Sequence, residues 1–177
     1  RLRRDIHPDA FASAVAHIVA AQRVLIFGIG PSSAMARYFS VQLERFGIEA
    51  SSLTQTGLLL ADQLLRLKEG DLLLIFAYGR IYPELATLLD QAAKRGAVTI
   101  LFSDTLGAKL RDQVDLVLAV QRGRTDLLSM HTATLALIEA LLVAVAKTQP
   151  DKTLASLKLL NQLRADLSGK RMDIPAT

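Results

Sequence analysis

The stretch Arg23-Val-Leu-Ile-Phe-Gly-Ile-Gly-Pro-Ser-Ser33 decides the fold of this chain. Its first five residues form a short, mainly apolar run that leads into two glycines, which is typical of a buried strand entering a tight turn. Pro31 suits the first turn of a helix, because its ring fixes φ at a helical value. Apolar residues then recur at helical spacing from Met35 to Phe46, and Gly47 stops the pattern. The sequence therefore predicts a strand, a glycine turn and a helix in direct succession.

The same alternation continues along the chain. Further strands are predicted at residues 48–52, 71–76, 97–102 and 115–120, and further helices at 58–67, 83–95, 106–111 and 127–147. Two amphipathic helices, at 8–21 and 151–167, flank this core. Strands that alternate with helices form right-handed crossovers. The predicted fold class is thus α/β: a three-layer α/β/α sandwich with a five-stranded parallel sheet in flavodoxin-like order.

We expect residues 1–177 to form a single domain. It would contain an N-terminal helix within residues 1–22, an α/β core at 23–148 and a C-terminal helix at 151–167. The terminal helices and the helix at 127–147 carry more apolar surface than one sandwich can easily bury. Exposed patches of that kind usually mark interfaces, so we also expect a homo-oligomer, either a dimer or a tetramer.

Composition narrows the classes of function. Apolar residues make up 51% of the chain and charged residues 21%, which excludes a disordered protein. No apolar run is long enough to cross a bilayer, so no membrane partner is expected. A net charge of +4 without dense basic clusters argues against direct binding of nucleic acid by these residues. Cysteine is absent and no pair of histidines has metal-ligand spacing, so we expect no metal, no cofactor and a cytoplasmic location.

The loop after the first strand offers a candidate site for an anion. Gly28 and Gly30 let the backbone approach a ligand closely, and the helix that follows points free N–H groups toward it. Ser32 and Ser33 add hydroxyl donors. A tight turn with a serine cap is an equally open interpretation. A dinucleotide site is disfavoured, because Ser33 stands where the motif needs a third glycine and the second strand ends without an acid.

Further polar groups follow the other strands and should meet this loop at the carboxyl edge of the sheet. Gly79 permits a tight turn, Arg80 can hold a phosphate or carboxylate through two hydrogen bonds, and Tyr78 offers a flat face. Ser103 adds a hydroxyl at the end of the fourth strand. The alternatives are an arginine that is merely solvated and polar residues that only cap a helix.

His131 is the candidate acid–base or ligand-donating group. It lies near the start of the helix predicted at 127–147, and an imidazole can transfer a proton near neutral pH. A histidine that is simply packed and hydrogen-bonded is the alternative. No Ser–His–Asp order stands out, so no residue is assigned a catalytic role.

The order and spacing of these loops resemble those of the SIS (sugar isomerase) domain. The resemblance rests on Gly28-x-Gly30-x-Ser32, on the loop centred on Gly79 and on a strand that ends in Ser103-Asp104. The segment Thr132-Ala-Thr-Leu-Ala-Leu-Ile-Glu-Ala-Leu-Leu142, with a Leu-rich helix after it, most resembles the SIS domain of RpiR-family transcription regulators. This resemblance implies an oligomeric sensor of a phosphosugar or another carbohydrate derivative. It also implies a helix-turn-helix domain upstream of Arg1, through which the full-length protein binds DNA.

The chain departs from the family pattern in two places. Members that bind phosphosugars carry Ser-x-Ser-Gly-x-Thr on the third-strand loop, where this chain has Phe76, Tyr78 and Ile81. Isomerases of this fold use a Glu base on the long helix after the fifth strand, and alignment on Ile138-Glu139-Ala140 places His131 there. We therefore expect a ligand-sensing domain without catalysis, whose effector is an anionic sugar derivative. For the effector, the alternatives are an apolar or aromatic-stacking ligand and a site that has lost its ligand. For the function, the alternatives are a sugar-phosphate isomerase and an oligomerisation module with a vestigial site.

Overall fold

Five parallel strands form one sheet in the computed structural model, which describes residues 6–122 and 130–168. The strands are β1 (Arg23–Gly28), β2 (Ala50–Leu53), β3 (Asp71–Phe76), β4 (Val98–Ser103) and β5 (Leu116–Ala119). Their order across the sheet is β2-β1-β3-β4-β5, which confirms the predicted flavodoxin-like order. All four strand pairings are parallel, so every strand ends at the same edge.

Seven α-helices are described around this sheet. They are α1 (Pro8–Ala20), α2 (Ser32–Arg45), α3 (Leu58–Leu64), α4 (Pro83–Arg95), α5 (Leu106–Leu110), α6 (Thr132–Thr148) and α7 (Pro150–Ser168). The helix predicted at 58–67 is shorter than expected, because the Leu67 N–H turns back to the Leu64 carbonyl and closes the helix early. The helix predicted at 127–147 is described from Thr132 onward, and residues 123–129 lie outside the described residues.

Side chains that alternate along the strands fill two apolar layers, one on each face of the sheet. On the first face the strands pack beneath α1, α2 and α6, with Ile18, Phe39 and Ile138 fully buried. On the second face they pack against α3, α4 and α5. All six positions of β3 are buried, as expected for the central strand of a parallel sheet covered on both sides. The predicted three-layer sandwich is therefore confirmed.

An ion pair fixes the amino edge of the sheet. Asp71 is 1% exposed and accepts two hydrogen bonds from Arg23, one from Nε at 3.0 Å and one from Nη2 at 2.7 Å. The Lys68 N–H donates to the same carboxylate at 2.9 Å. Loss of one partner would leave a buried charge uncompensated, so the pair holds the starts of β1 and β3 together.

The two terminal helices differ in how they contact this core. Helix α1 packs on α6, whereas α7 buries only Thr153 of its own residues. Within the described ranges no single helix is both long and apolar enough to cross a membrane. Helices α6 and α7 reach the length and apolar composition of a membrane span only when taken together, and they are bent by 107° at their junction.

Candidate functional site

The first wall of the site is the glycine turn between β1 and α2. A Cβ on Gly28 would lie 2.5 Å from the Ser32 carbonyl oxygen, so the close approach of strand and helix requires glycine there. Gly30 has a φ of 58°, which favours glycine, and the Ser33 N–H donates to its carbonyl at 3.0 Å. Pro31 is the N-cap of α2, and no side chain caps that helix. The serine cap considered for this turn is therefore not formed.

Tyr78, just beyond β3, forms the second wall. Its side chain is buried, and its hydroxyl lies 2.9 Å from Thr134 Oγ1 near the start of α6. Burial raises the pKa of Tyr78 to about 12, so the phenol stays neutral. The sequence did not indicate Thr134, because a threonine inside an apolar helix carries no local signal of contact with a distant loop.

His131 links Thr134 back to the glycine turn. Its Nδ1 lies 3.2 Å from Thr134 Oγ1, and its Nε2 lies 3.5 Å from Ser32 Oγ. Its ring meets the ring of Tyr78 edge-on, with 5.5 Å between the centroids. We call Ser32, His131, Thr134 and Tyr78 the hydroxyl–imidazole chain. Burial, and to a smaller extent the charge of Arg122, lower the pKa of His131 and favour the neutral imidazole.

Arg122 is a site residue that sequence analysis missed. Its Cζ lies 4.3 Å from the centroid of the Tyr78 ring, which is a cation–π contact. Its Nε is buried and has no hydrogen-bond partner among the described residues. The signal was present in the sequence, since Arg122 comes two residues after the predicted fifth strand and so reaches the same carboxyl edge.

These residues surround a cavity of about 200 Å³ at the carboxyl edge, which we call the carboxyl-edge cavity. Arg80 stands at its rim, exposed, and its backbone N–H donates to the Tyr78 carbonyl at 2.8 Å. Gly79, with a φ of 72°, makes the turn between them. The wall consists of Phe27, Ile29, Gly30, Pro31, Ser32, Phe76, Ala77, Tyr78, Arg80, Tyr82, Leu85 and Arg122.

The predicted site residues differ in whether they line the carboxyl-edge cavity. Gly30, Ser32, Tyr78 and Arg80 lie on the cavity wall, and His131 lies behind it within the hydroxyl–imidazole chain. Ser103 is fully buried off the wall, and its hydroxyl has no hydrogen-bond partner in the part of the chain that the structure describes. The remaining predicted residues, Gly28, Ser33 and Gly79, shape the two turns rather than line the cavity.

The surroundings of Phe76 and Ile81, at which the chain departs from the family pattern, and of Glu139, on which the alignment was anchored, also differ. Phe76 is 1% exposed, and its ring centroid lies 4.7 Å from that of Phe102, so it belongs mainly to the core beneath the cavity. Ile81 is exposed to solvent. Glu139, two turns along α6 from His131, accepts a hydrogen bond from the Tyr38 hydroxyl on α2 and is not on the cavity wall. Residues 6–122 and 130–168 contain no group of three or more His, Cys, Asp or Glu that could hold a metal ion.

Comparison with known proteins agrees with this fold and this arrangement of loops. The chain belongs to the SIS domain family, whose model matches residues 17–144. It is similar to the sugar isomerase domain of the RpiR transcription factor from Sphaerobacter thermophilus, with 26% identity and a TM-score of 0.83 over 91% of this chain and 90% of that one. A search of curated protein sequences finds no match.

Two further structures share the fold at lower identity. The NanR protein of Vibrio vulnificus, solved in complex with ManNAc-6P, is 21% identical with a TM-score of 0.78. The match covers 94% of this chain but only 64% of NanR. The phosphoheptose isomerase GmhA of Neisseria gonorrhoeae is 20% identical with a TM-score of 0.68, over 79% of this chain and 86% of that one. The fold thus occurs both in regulators and in isomerases.

Proposed function

We propose that this chain is the ligand-sensing domain of an RpiR-type transcription regulator and that its effector is a small anion bound in the carboxyl-edge cavity. The observation that carries the proposal is the composition of the described wall, which contains two arginines and neither a carboxylate nor a histidine. Isomerisation of a sugar phosphate needs a group that takes a proton from carbon. Binding an anion needs only donors and positive charge, which Arg80, Arg122 and the N-terminus of α2 supply.

Regulation adds a thermodynamic requirement to binding. An effector changes operator affinity only if it binds two states of the protein unequally. We propose that the two states differ in the geometry of a homo-oligomer. This difference in geometry is transmitted to a helix-turn-helix domain upstream of residue 1. The phosphosugar or other carbohydrate derivative implied by the family is the first class of effector to test, and the RpiR likeness supports this order of testing.

The proposed effector site is tested by substitution at the cavity rim. Sugar phosphates, sugar acids and aromatic carboxylates are screened by thermal shift, and the tightest ligand is carried into calorimetry. Arg80→Ala should weaken its binding by about 1.5–3 kcal/mol, because a charge-assisted hydrogen bond is lost. Ser32→Ala should weaken it by less, because the Ser32 hydroxyl lies 3.5 Å from His131 Nε2 and is partly engaged within the protein. Arg111→Ala, an exposed arginine away from the cavity, is the matched control. Unchanged affinity in both cavity variants, with the fold intact by circular dichroism, would place the site elsewhere.

A sugar-phosphate isomerase is the second candidate function. The observation that favours it is the neutral imidazole of His131, 3.5 Å from Ser32 Oγ at the cavity edge. Both ring nitrogens of His131 already lie near hydroxyls, and His131 is not among the residues that line the cavity, so we expect no turnover of pentose, hexulose or heptose phosphates. A coupled isomerase assay decides between the two functions: turnover that His131→Ala abolishes would establish the enzyme.

A further inference from the structure

We propose that the carboxyl-edge cavity selects a compact organic anion with an apolar body, such as an aromatic or alicyclic carboxylate, over a polyhydroxylated sugar phosphate. This inference rests on the proposed function, because it names the chemical class of the effector for the same site. It follows from three features of the wall: cationic groups without an ion-pair partner among the described residues, apolar side chains, and hydroxyls that are already engaged within the protein.

The charge of the cavity comes from two guanidinium groups that form no ion pair with any residue in 6–122 or 130–168. Arg122 has a buried Nε–H that lacks an acceptor among the described residues, and its Cζ is held 4.3 Å from the Tyr78 ring. Arg80 forms no ion pair with any described residue. A buried donor without an acceptor is unfavourable, so a carboxylate oxygen placed beside Arg122 would supply the missing partner. One anionic group on the ligand meets this need.

The rest of the wall is mainly apolar. Phe27, Ile29, Pro31, Ala77 and Leu85 line the space between the two loops. Its volume of about 200 Å³ lies below the roughly 300–1,000 Å³ typical of pockets for drug-sized ligands, so a compact ligand is favoured. A ring or branched carbon skeleton gains free energy from burial against such a wall, whereas a hydroxylated chain would lose water without gaining partners.

The hydroxyls that a sugar would need are used inside the protein. Tyr78 bonds to Thr134, Thr134 lies within hydrogen-bond distance of His131, and His131 is adjacent to Ser32. The other hydroxyl on the described wall belongs to Tyr82, whose side chain is half exposed. A site that binds a hydroxylated ligand tightly offers a hydrogen-bond partner to each ligand hydroxyl, because every ligand hydroxyl that is buried without a partner lowers the affinity. This wall offers few such partners.

A larger groove between α3 and α4, of about 420 Å³, is a weaker candidate for the same ligand. Its charged residues are already engaged with the backbone. Glu84 accepts from the Gly57 N–H at 3.2 Å, and Arg95 donates to the Leu67 carbonyl at 2.9 Å. The carboxylate of Glu84 would repel an anion in this groove, so the smaller cavity, whose described wall holds two arginines and no carboxylate, is preferred.

The test is calorimetry on the 177-residue chain with matched probes. Benzoate and cyclohexanecarboxylate are compared with their uncharged amides, with glucose 6-phosphate and ManNAc-6P, and with inorganic phosphate. We expect the carboxylates to bind about tenfold or more tightly than their amides, and more tightly than both sugar phosphates and inorganic phosphate. Arg122→Gln should weaken benzoate binding about tenfold or more, whereas Arg111→Gln, an exposed arginine off the wall, should not.

Each contrary outcome has a separate meaning. Tighter binding of a sugar phosphate, lost in Arg122→Gln, would overturn this inference and leave the proposed function standing. Equal binding of inorganic phosphate and benzoate would show that only charge is recognised, which also overturns it. Binding of no probe, or binding that neither Arg122→Gln nor Arg80→Gln weakens in a folded protein, would overturn both the inference and the proposed function.

Discussion

Tyr78 is the residue around which the candidate site is organised. Strand residues alternate between the two faces of the sheet, and the even-numbered positions of β3 face α1, α2 and α6. Tyr78 continues that alternation beyond the strand end, so its ring lies on the α6 side and reaches Thr134. Phe76 lies on the same face one step earlier and is held in the core by Phe102. A period of two thus places Phe76 and Tyr78 on the same face of the sheet, and their surroundings differ because Phe76 ends the strand whereas Tyr78 lies beyond it.

The state of His131 leads to a prediction about pH. Burial and Arg122 lower its pKa in the folded protein below the ordinary value of 6.5. As the pH falls through 6.5, the unfolded chain therefore takes up this proton before the folded protein does, and stability is lost down to the lowered folded pKa. Above pH 6.5 the contribution is fully present.

The measurement is urea unfolding of wild type and His131→Gln at about pH 7.5 and about pH 5.5. Wild type should lose more stability between the two values than the variant, which has no titrating imidazole at this position. His17→Gln, at a histidine on α1 outside the site, is the control and should behave like wild type. An equal loss in wild type and His131→Gln would contradict the assignment.

Gly30 supports a prediction about backbone conformation. A Cβ added at Gly30 would meet no atom within 4 Å, so space does not limit the side chain there. The constraint is the backbone φ of 58°. A β-branched residue is strained there, and Gly30→Val should destabilise the fold by about 1–2 kcal/mol. Gly30→Asn should cost less, since asparagine tolerates this region. Chemical denaturation measures both, and equal stability of the valine variant and wild type would refute the role of φ.

At the scale of secondary structure, the sequence best predicted the bounds of strands and helices, because these depend mainly on residues that are neighbours in the chain. Continuous apolar runs bounded by turn residues placed β3 without error and the other strands within two residues. Gly96, in the left-handed conformation, ended α4 where the sequence indicated. Thr134 and Arg122 were missed, because their contacts with Tyr78 join segments 44 or more residues apart and depend on how α6 and the loop after β5 sit on the sheet. No local pattern carries that information.

Helix α7 gives a prediction about assembly. Four of its six leucines are exposed, among them Leu159 at 58% and Leu163 at 50%, and the other two are half-buried. Apolar faces of this kind are usually covered, so we expect at least a homodimer in which this helix is buried. Leu159→Glu combined with Leu163→Glu should yield monomers by light scattering at micromolar concentration, because burial of two charges opposes association.

The control for this prediction is a charge added on α7 next to the exposed leucines Leu159 and Leu163. Gln162→Glu introduces a carboxylate on an exposed polar position of the same helix and should leave the oligomer intact. A wild-type chain that is already monomeric at micromolar concentration would contradict the prediction. So would a double variant that keeps the wild-type mass.

At the scale of the whole molecule, the sheet separates an edge held by an ion pair from the edge at which we propose that the ligand binds. The amino edge is closed by the buried pair of Arg23 and Asp71. The carboxyl edge carries the glycine turn, Tyr78 and the two arginines Arg80 and Arg122, at the place where open parallel sheets bind ligands. Fold class followed from the sequence because it depends on periodicity, and strand order because right-handed crossovers leave few orders for alternating strands and helices. The chemistry of the wall depends on which side chains already bond to one another, and only the structure gives that.

The central claim is that a small anion binds at this carboxyl edge. The most direct test is backbone amide NMR of the isotope-labelled chain, titrated with the tightest anionic ligand from the thermal-shift screen. We predict that the largest shifts occur at Gly30, Ser32, Tyr78 and Arg80, and that they disappear in Arg122→Gln. Shifts confined to the groove between α3 and α4, or a titration that leaves the carboxyl edge unchanged, would contradict the account.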